Sequence, residues 1–237
     1  LPFARLIAQK YATDHHELIV RPDAAEILPL LVWHYNEPFA DSSAIPSYYV
    51  ARMTRQHVTV ALSGDGGDES FAGYQHYANL LAWSKFDAIP IRLRMILARL
   101  GKCAIRPFIW HNLAARLERG LAMLACSNIK GRRDVSISTL KSSEKRAVYS
   151  ARFRQLIADS AERTDRIASY PFNTGDDELD WLMSHDQSFY LPDCLMVKTD
   201  IASMANSLEV RSPFLDHKFI EFAASIPSPL KRNKTGG

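Results

Sequence analysis

VTVALSGDGGDESFAGYQHY, residues 58–77, is the stretch on which the reading of this chain turns. Val58 to Leu62 are apolar or β-branched, as suits a short strand buried on both faces of a parallel sheet. Ser63 to Gly67 then supply a glycine-rich turn, and from Asp68 the spacing through Phe86 is helical, with Asp68 and Glu69 near the positive end of the helix dipole. A strand running through such a turn into a helix sets backbone N–H groups at the C-terminal edge of a sheet, a geometry that binds phosphate. Yet SGDGGDE has no Lys, so it is not GxxxxGK[ST], and it lacks the spacing of GxGxxG. Its charges are negative and would repel a bare phosphate. A divalent cation in between removes the conflict, because Mg²⁺ is held by one or two carboxylates together with phosphate oxygens. Asp68 is the candidate metal ligand. Asp65, deeper in the turn, is placed to face an amine or ammonia as acceptor or general base. A plain turn with a helix cap stays open beside this reading. A calcium loop does not fit, since neither the twelve-residue EF-hand pattern nor a tandem nonapeptide is present.

Working upstream, Leu1 to Tyr11 reads as a helix already in progress, Glu17 to Val20 as a short buried strand, and Ala24 to Tyr35 as a helix capped by Asp23, with Pro29 the awkward point. His15 and His16, side by side on an extended segment, point to opposite faces, which disfavours a paired metal site. Asp41, Ser42 or Ser43 can cap a further helix from Ala44, and Glu37 and Asp41 read as loop-ordering and capping residues. Residues 1–85 are therefore expected to form an α/β part. Downstream of Pro90 β signals nearly vanish. Helical spacing covers 91–104, 113–126, 143–158, 177–191 and 215–226, so residues 86–237 are expected to be mainly helical, with SNIKGRRDVSIS (127–138) and ASYPFNTGDD (168–177) as connecting turns. Met204 and Leu208 fall at core spacing, and Glu209 and Arg211 read as a structural ion pair.

The bulk figures narrow the function. Of 237 residues 47% are hydrophobic, enough for one sizeable core or two small ones. Lys and Arg exceed Asp and Glu by only three, 29 against 26, and no basic run with interleaved aromatics tracks a phosphate backbone, which argues against nucleic acid. Cys103, Cys126 and Cys194 lack disulfide or zinc spacing, which fits a reducing compartment. No apolar run approaches the ~20 residues that cross a bilayer. The chain opens inside a helix without an initiating Met, and is expected to be a piece of a longer protein.

Three segments in order, NEPFADSSAIPSYYVAR (36–52), VALSGDGGDESFAGY (60–74) and KTDIASMANSLEVRSPFLDHKFIEFA (198–223), closely resemble the synthetase domain of the glutamine-dependent asparagine synthetases. The resemblance runs over roughly residues 1–230. It implies an adenine-nucleotide α-hydrolase (PP-loop ATP pyrophosphatase) fold, cytoplasmic location, and ATP and Mg²⁺ as the groups bound. It further implies activation of the aspartate side chain to β-aspartyl-AMP with release of pyrophosphate, then displacement of AMP by ammonia that an N-terminal glutaminase domain releases from glutamine. Carried over by motif, Ser63 and Gly64 match the ATP-contacting pair, Asp65 the acid near the acyl-adenylate, and Asp68 a magnesium and pyrophosphate position. Asp193 and Lys198 lie where relatives make substrate or phosphate contacts.

Neither the family's SGGxDSS loop nor its RxKxGF-like stretch occurs in this sequence, so the chain alone is expected to hold an incomplete site. A β-lactam synthetase would carry Tyr where Asp65 stands. A non-catalytic scaffold would have no need of Asp65 and Asp68. Loss of the SGGxDSS strand is expected to leave an open sheet edge or an exposed apolar face, favouring association, including a homodimer.

Overall fold

A computed structural model describes residues 2–17, 19, 23–105, 111–138, 147–158 and 177–232. Helices α1 (Pro2–Tyr11), α2 (Ala24–Tyr35) and α3 (Ala44–Thr54) precede strand β1 (Val60–Leu62). The short α4 (Gly67–Phe71) follows, then α5 (Gln75–Ala82), a 3₁₀ turn (Trp83–Ala88), α6 (Ile91–Ile105), α7 (His111–Leu124) and α8 (Ile129–Ile137). Beyond these lie helices Ala151–Ala158 and Glu178–His185, a π-helical segment Asp186–Met196, helix Val197–Met204, strand β2 (Glu209–Arg211), and helices His217–Ser225 and Ser228–Lys231. The chain divides into two compact units, one of Leu1–Gly67 with Phe189–Glu221, the other of Asp68–Ser188 with Phe222–Gly237.

In the first unit local chemistry sets the helix ends. Asp23 Oδ1 accepts from Ala25 N at 3.0 Å and Glu26 N at 3.2 Å, and Asn36 closes α2 at φ 53° with its N–H on Val32 O. Asp41 accepts from Ser43 N at 2.9 Å, ordering the entry to α3 as its sequence context suggests. Ile27, Leu31 and Tyr35 of α2 pack with Ala44 and Tyr48 of α3 and Ala202. Leu208 joins the interior at 2% exposure, but Met204 is 56% exposed, because the chain leaves the helix after Met204 and the expected core spacing ends there.

The sheet is parallel but its strands are not the pair expected. β1 covers only Val60–Leu62 and pairs with β2 in the register Val60↔Glu209, Ala61↔Val210, Leu62↔Arg211. Leu18 and Val20 of the expected strand lie outside the described residues, and Glu17 and Ile19 belong to no strand. The two histidines are correspondingly not on a strand: Glu17 accepts from Arg5 at 2.6 Å and meets His15 at 3.1 Å, while His16 stacks on His57. β2 escapes a reading by pattern because EVR is three residues with one apolar side chain; its Arg211 Nε donates to Glu209 Oε1 at 2.7 Å, two residues along one strand face. Among the described residues β1 has no second strand neighbour, and Val58, Val60 and Leu62 are 42%, 41% and 74% exposed.

The second unit is helical. Tyr77, Leu80, Met123, Ile129, Leu179, Trp181, Leu182 and Met183 form its core. The helix expected from Asp68 to Phe86 is broken, since Ala72 turns left-handed at φ 57° and a Cβ on Gly73 would lie 2.0 Å from Asp68 Oδ1. SNIKGRRDVSIS is a helix rather than a turn. Asn128 Oδ1 caps it on Gly131 N at 3.0 Å, and its two arginines are drawn inward: Arg132 pairs with Asp87, Arg133 with Asp186. Polar composition suggests a loop, but both buried cations have carboxylate partners far away in sequence. Helix 177–191 likewise continues past its expected end, widening into the π-helical turn that accommodates Pro192. Residues 139–146 and 168–176, which include parts of an expected helix and an expected turn, lie outside the described residues.

Candidate active site

Because β1 and β2 are parallel, their C-terminal ends open on the same side, where open α/β sheets bind ligands. Ser63 follows β1 and extends the ladder by one bond, donating its N–H to Arg211 O at 2.9 Å. Its hydroxyl donates to Asp65 Oδ2 at 2.8 Å and touches Ser212 Oγ at 2.8 Å. Gly67 N reaches Gly64 O at 3.3 Å to close the turn.

The glycines of this turn have different jobs. Gly66 is buried, sits at φ +88°, and a Cβ there would come within 2.1 Å of Leu215 Cδ2. Gly64 is exposed and a Cβ there would meet no atom within 4 Å. Gly66→Ala is thus expected to destabilise by about 1–3 kcal/mol through backbone strain and displacement of Leu215. Gly64→Ala is expected to be neutral or to stabilise by about 0.5 kcal/mol, since only unfolded-state freedom is lost. Urea midpoints of the two variants check the contrast; equal losses would mean that Gly64 is also held by the fold.

The structure joins Ser63 and Asp65 directly but groups Lys198 elsewhere. Lys198 Nζ donates to Ser43 Oγ at 2.9 Å and Asp41 Oδ2 at 3.2 Å, while Tyr35 Oη donates to Lys198 O at 3.1 Å. Burial works to raise the Asp41 carboxyl, but hydrogen bonds from Ser43 and the Lys198 ammonium outweigh it and leave the group below its ordinary range. Burial pushes the Tyr35 phenol up to about 12, helped by the Asp41 charge. Asp193 is exposed in the π-helical segment, directly after Pro192. Asp68, in the other unit, is exposed in the first turn of the five-residue α4. Among the described residues no three His, Cys, Asp or Glu side chains converge as a metal cage.

Two recesses flank β2. One, about 400 Å³, is lined by Val50, Ala51, Leu62, Ser63, Leu208 and Val210 among others; its neighbour, about 410 Å³, includes Pro192, Met196, Asp200 and Ser212. Ser203 is 3% exposed and donates to Asp200 O at 3.1 Å. Ser212 is the residue that motif reading misses. Its signal is positional, since it follows EVR as Ser63 follows VAL, at the same end of the paired strand.

These features define a helix-rich chain with a small parallel sheet, compatible with the α/β class. The chain belongs to the asparagine synthase family, whose model matches residues 1–237. Over 204 residues it is 33% identical to asparagine synthetase (glutamine-hydrolyzing) 1 of Bacillus subtilis, covering 86% of this chain and 30% of that protein. Over 233 residues it is 31% identical to putative asparagine synthetases (glutamine-hydrolyzing) of Mycobacterium bovis and Mycobacterium tuberculosis, covering 96% of this chain and 33% of those proteins. The chain thus spans about a third of the length of these curated relatives. No solved structure matches it. Among the described residues no helix is long and apolar enough to cross a membrane.

Proposed function

We propose that this chain is the substrate-activating part of a cytoplasmic, ATP-dependent asparagine-forming synthetase, with its sheet of the PP-loop pyrophosphatase type. Residues 1–85 would supply the nucleotide-binding part and 86–237 the mainly helical part of one synthetase domain, with ammonia delivered from glutamine by a glutaminase domain. The observation that carries the reading is the Ser63–Asp65 hydrogen bond at the C-terminal end of a parallel strand pair. An aspartate β-carboxylate oxygen attacks the α-phosphorus of ATP, the bond to pyrophosphate breaks, and β-aspartyl-AMP forms. Ammonia then attacks the acyl carbon and AMP leaves.

Ser63 and Gly64 contact the nucleotide in this scheme, and Gly64 is exposed, with open space where a Cβ would stand. Asp65 takes the surplus proton of the attacking ammonia. Asp193 and Lys198 serve the substrate side, and Lys198 must exchange Asp41 or Ser43 for a ligand oxygen to do so. Asp68 fits Mg²⁺ as a single hard oxygen donor, its exposed carboxylate lying against Gly73 where a Cβ would collide. Bound there, Mg²⁺ would offset polyphosphate charge. The test is to supply the full-length gene product with aspartate, MgATP and ammonium. Equal amounts of AMP, pyrophosphate and asparagine are expected; ADP in place of AMP, or no nucleotide turnover, would overturn the reading.

A further inference from the structure

The geometry points to Ser212 as a positioning residue that fixes the direction of the Ser63 hydroxyl and, through it, the Asp65 carboxylate. The inference rests on the adenylating function proposed above and deepens it. A serine hydroxyl has one hydrogen to give. Ser63 Oγ lies 2.8 Å from Asp65 Oδ2, and an ionised carboxylate only accepts, so that hydrogen is committed to Asp65. The 2.8 Å contact between Ser63 Oγ and Ser212 Oγ must then be donated by Ser212. The three groups form a directed chain, Ser212 to Ser63 to Asp65, in which each donation strengthens the next. Backbone pairing holds the chain in place, since Ser63 N donates to Arg211 O at 2.9 Å and Ser212 continues extended at φ −114°, ψ 92°.

Without Ser212 the Ser63 hydroxyl keeps its bond to Asp65 Oδ2 at 2.8 Å and the long contact from Asp65 N at 3.5 Å, but loses the short contact that holds it from the paired strand, so its other staggered rotamers become easier to reach. With Ser212 in place, Ser63 keeps its position even when a nucleotide oxygen competes for its hydrogen. Ser212 touches neither nucleotide nor amine in this arrangement and acts only through Ser63.

The test compares Ser212→Val, Ser212→Ala and Ser212→Thr in the full-length gene product; Val and Thr share a shape and differ by the hydroxyl. Val and Ala are expected to lower kcat for ammonia-dependent asparagine formation about tenfold, the size of one lost hydrogen bond, with KM for ATP changed less than about threefold, while Thr stays within about twofold of wild type. Amide hydrogen exchange over Gly64–Gly67 should quicken in Val and not in Thr. A Val variant with wild-type kcat and wild-type exchange over Gly64–Gly67, or a Thr variant that falls as far as Val, overturns the assignment. Should the wild-type protein form no AMP at all, the adenylating function fails by itself. The exchange measurement still decides on Ser212, and equal exchange in Val and wild type would overturn its positioning role.

Discussion

Asp186→Asn is expected to cost the helical unit about 3–5 kcal/mol, the scale of breaking a buried ion pair on one side. Asp186 has no solvent exposure, and its carboxylate collects four side-chain donors. Tyr77 Oη at 2.9 Å and His76 Nε2 at 3.1 Å reach Oδ2; Arg133 and, at 3.4 Å, His185 Nδ1 reach Oδ1. Burial works to raise this carboxyl, but the His185, His76 and Arg133 interactions prevail and drive it far below the ordinary range. An amide of the same shape would leave the Arg133 guanidinium buried against a neutral group. Because the folded value is depressed, the stabilisation is fully present above the unfolded carboxyl value of about 4 and is lost as pH falls through the folded one. Urea unfolding at neutral and acid pH checks both statements. The Asn variant should unfold at lower urea near pH 7 and lose less than wild type on acidification; an unchanged neutral midpoint would show that the pair adds no net stability.

Asp65→Ala in the full-length gene product is expected to reduce asparagine formation from free ammonia by about 10²–10⁴, the usual contribution of a positioned acid–base group. Pyrophosphate release with aspartate and ATP should fall much less, since the role proposed for Asp65 follows adenylate formation. Free ammonia keeps glutamine hydrolysis out of the measurement. The fold should survive, because Asp65 is half-buried and its side-chain partner Ser63 retains Ser212. Undiminished synthesis would return Asp65 to the role of a turn residue.

How far the sequence reveals this structure depends on the range of the interactions involved. Asp23 before an apolar run announces α2, because a cap is a contact between residues two to four apart. The turn at Ser63–Gly67 is legible for the same reason. β2 is not, since a three-residue strand takes its identity from β1 and not from its own pattern. Helix α8 is hidden by two charged residues whose carboxylate partners, Asp87 and Asp186, lie 45 and 53 positions away. Lys198 and Asp41, 157 positions apart, pair by the same long-range logic, and nothing local in either segment signals it. Ser63, Gly64, Asp65 and Asp68 could be named from one motif, whereas Ser212 required the strand pairing that sets it beside Ser63.

That pairing also governs when the loop can become ordered. Ser63 and Ser212 stand 149 residues apart, and β1 has no other strand to lean on among the described residues. Closing so long a loop costs entropy before any ladder bond forms, which places this contact among the slow steps of folding. On a ribosome adding about 5–20 residues per second, the glycine turn emerges many seconds before the strand that holds it. Until Arg211 arrives, Val58 to Leu62 are an unpaired apolar segment, open to chaperones and to other nascent chains. A stop codon anywhere before β2 therefore removes more than a tail: it leaves the glycine turn translated but without the strand that shapes it.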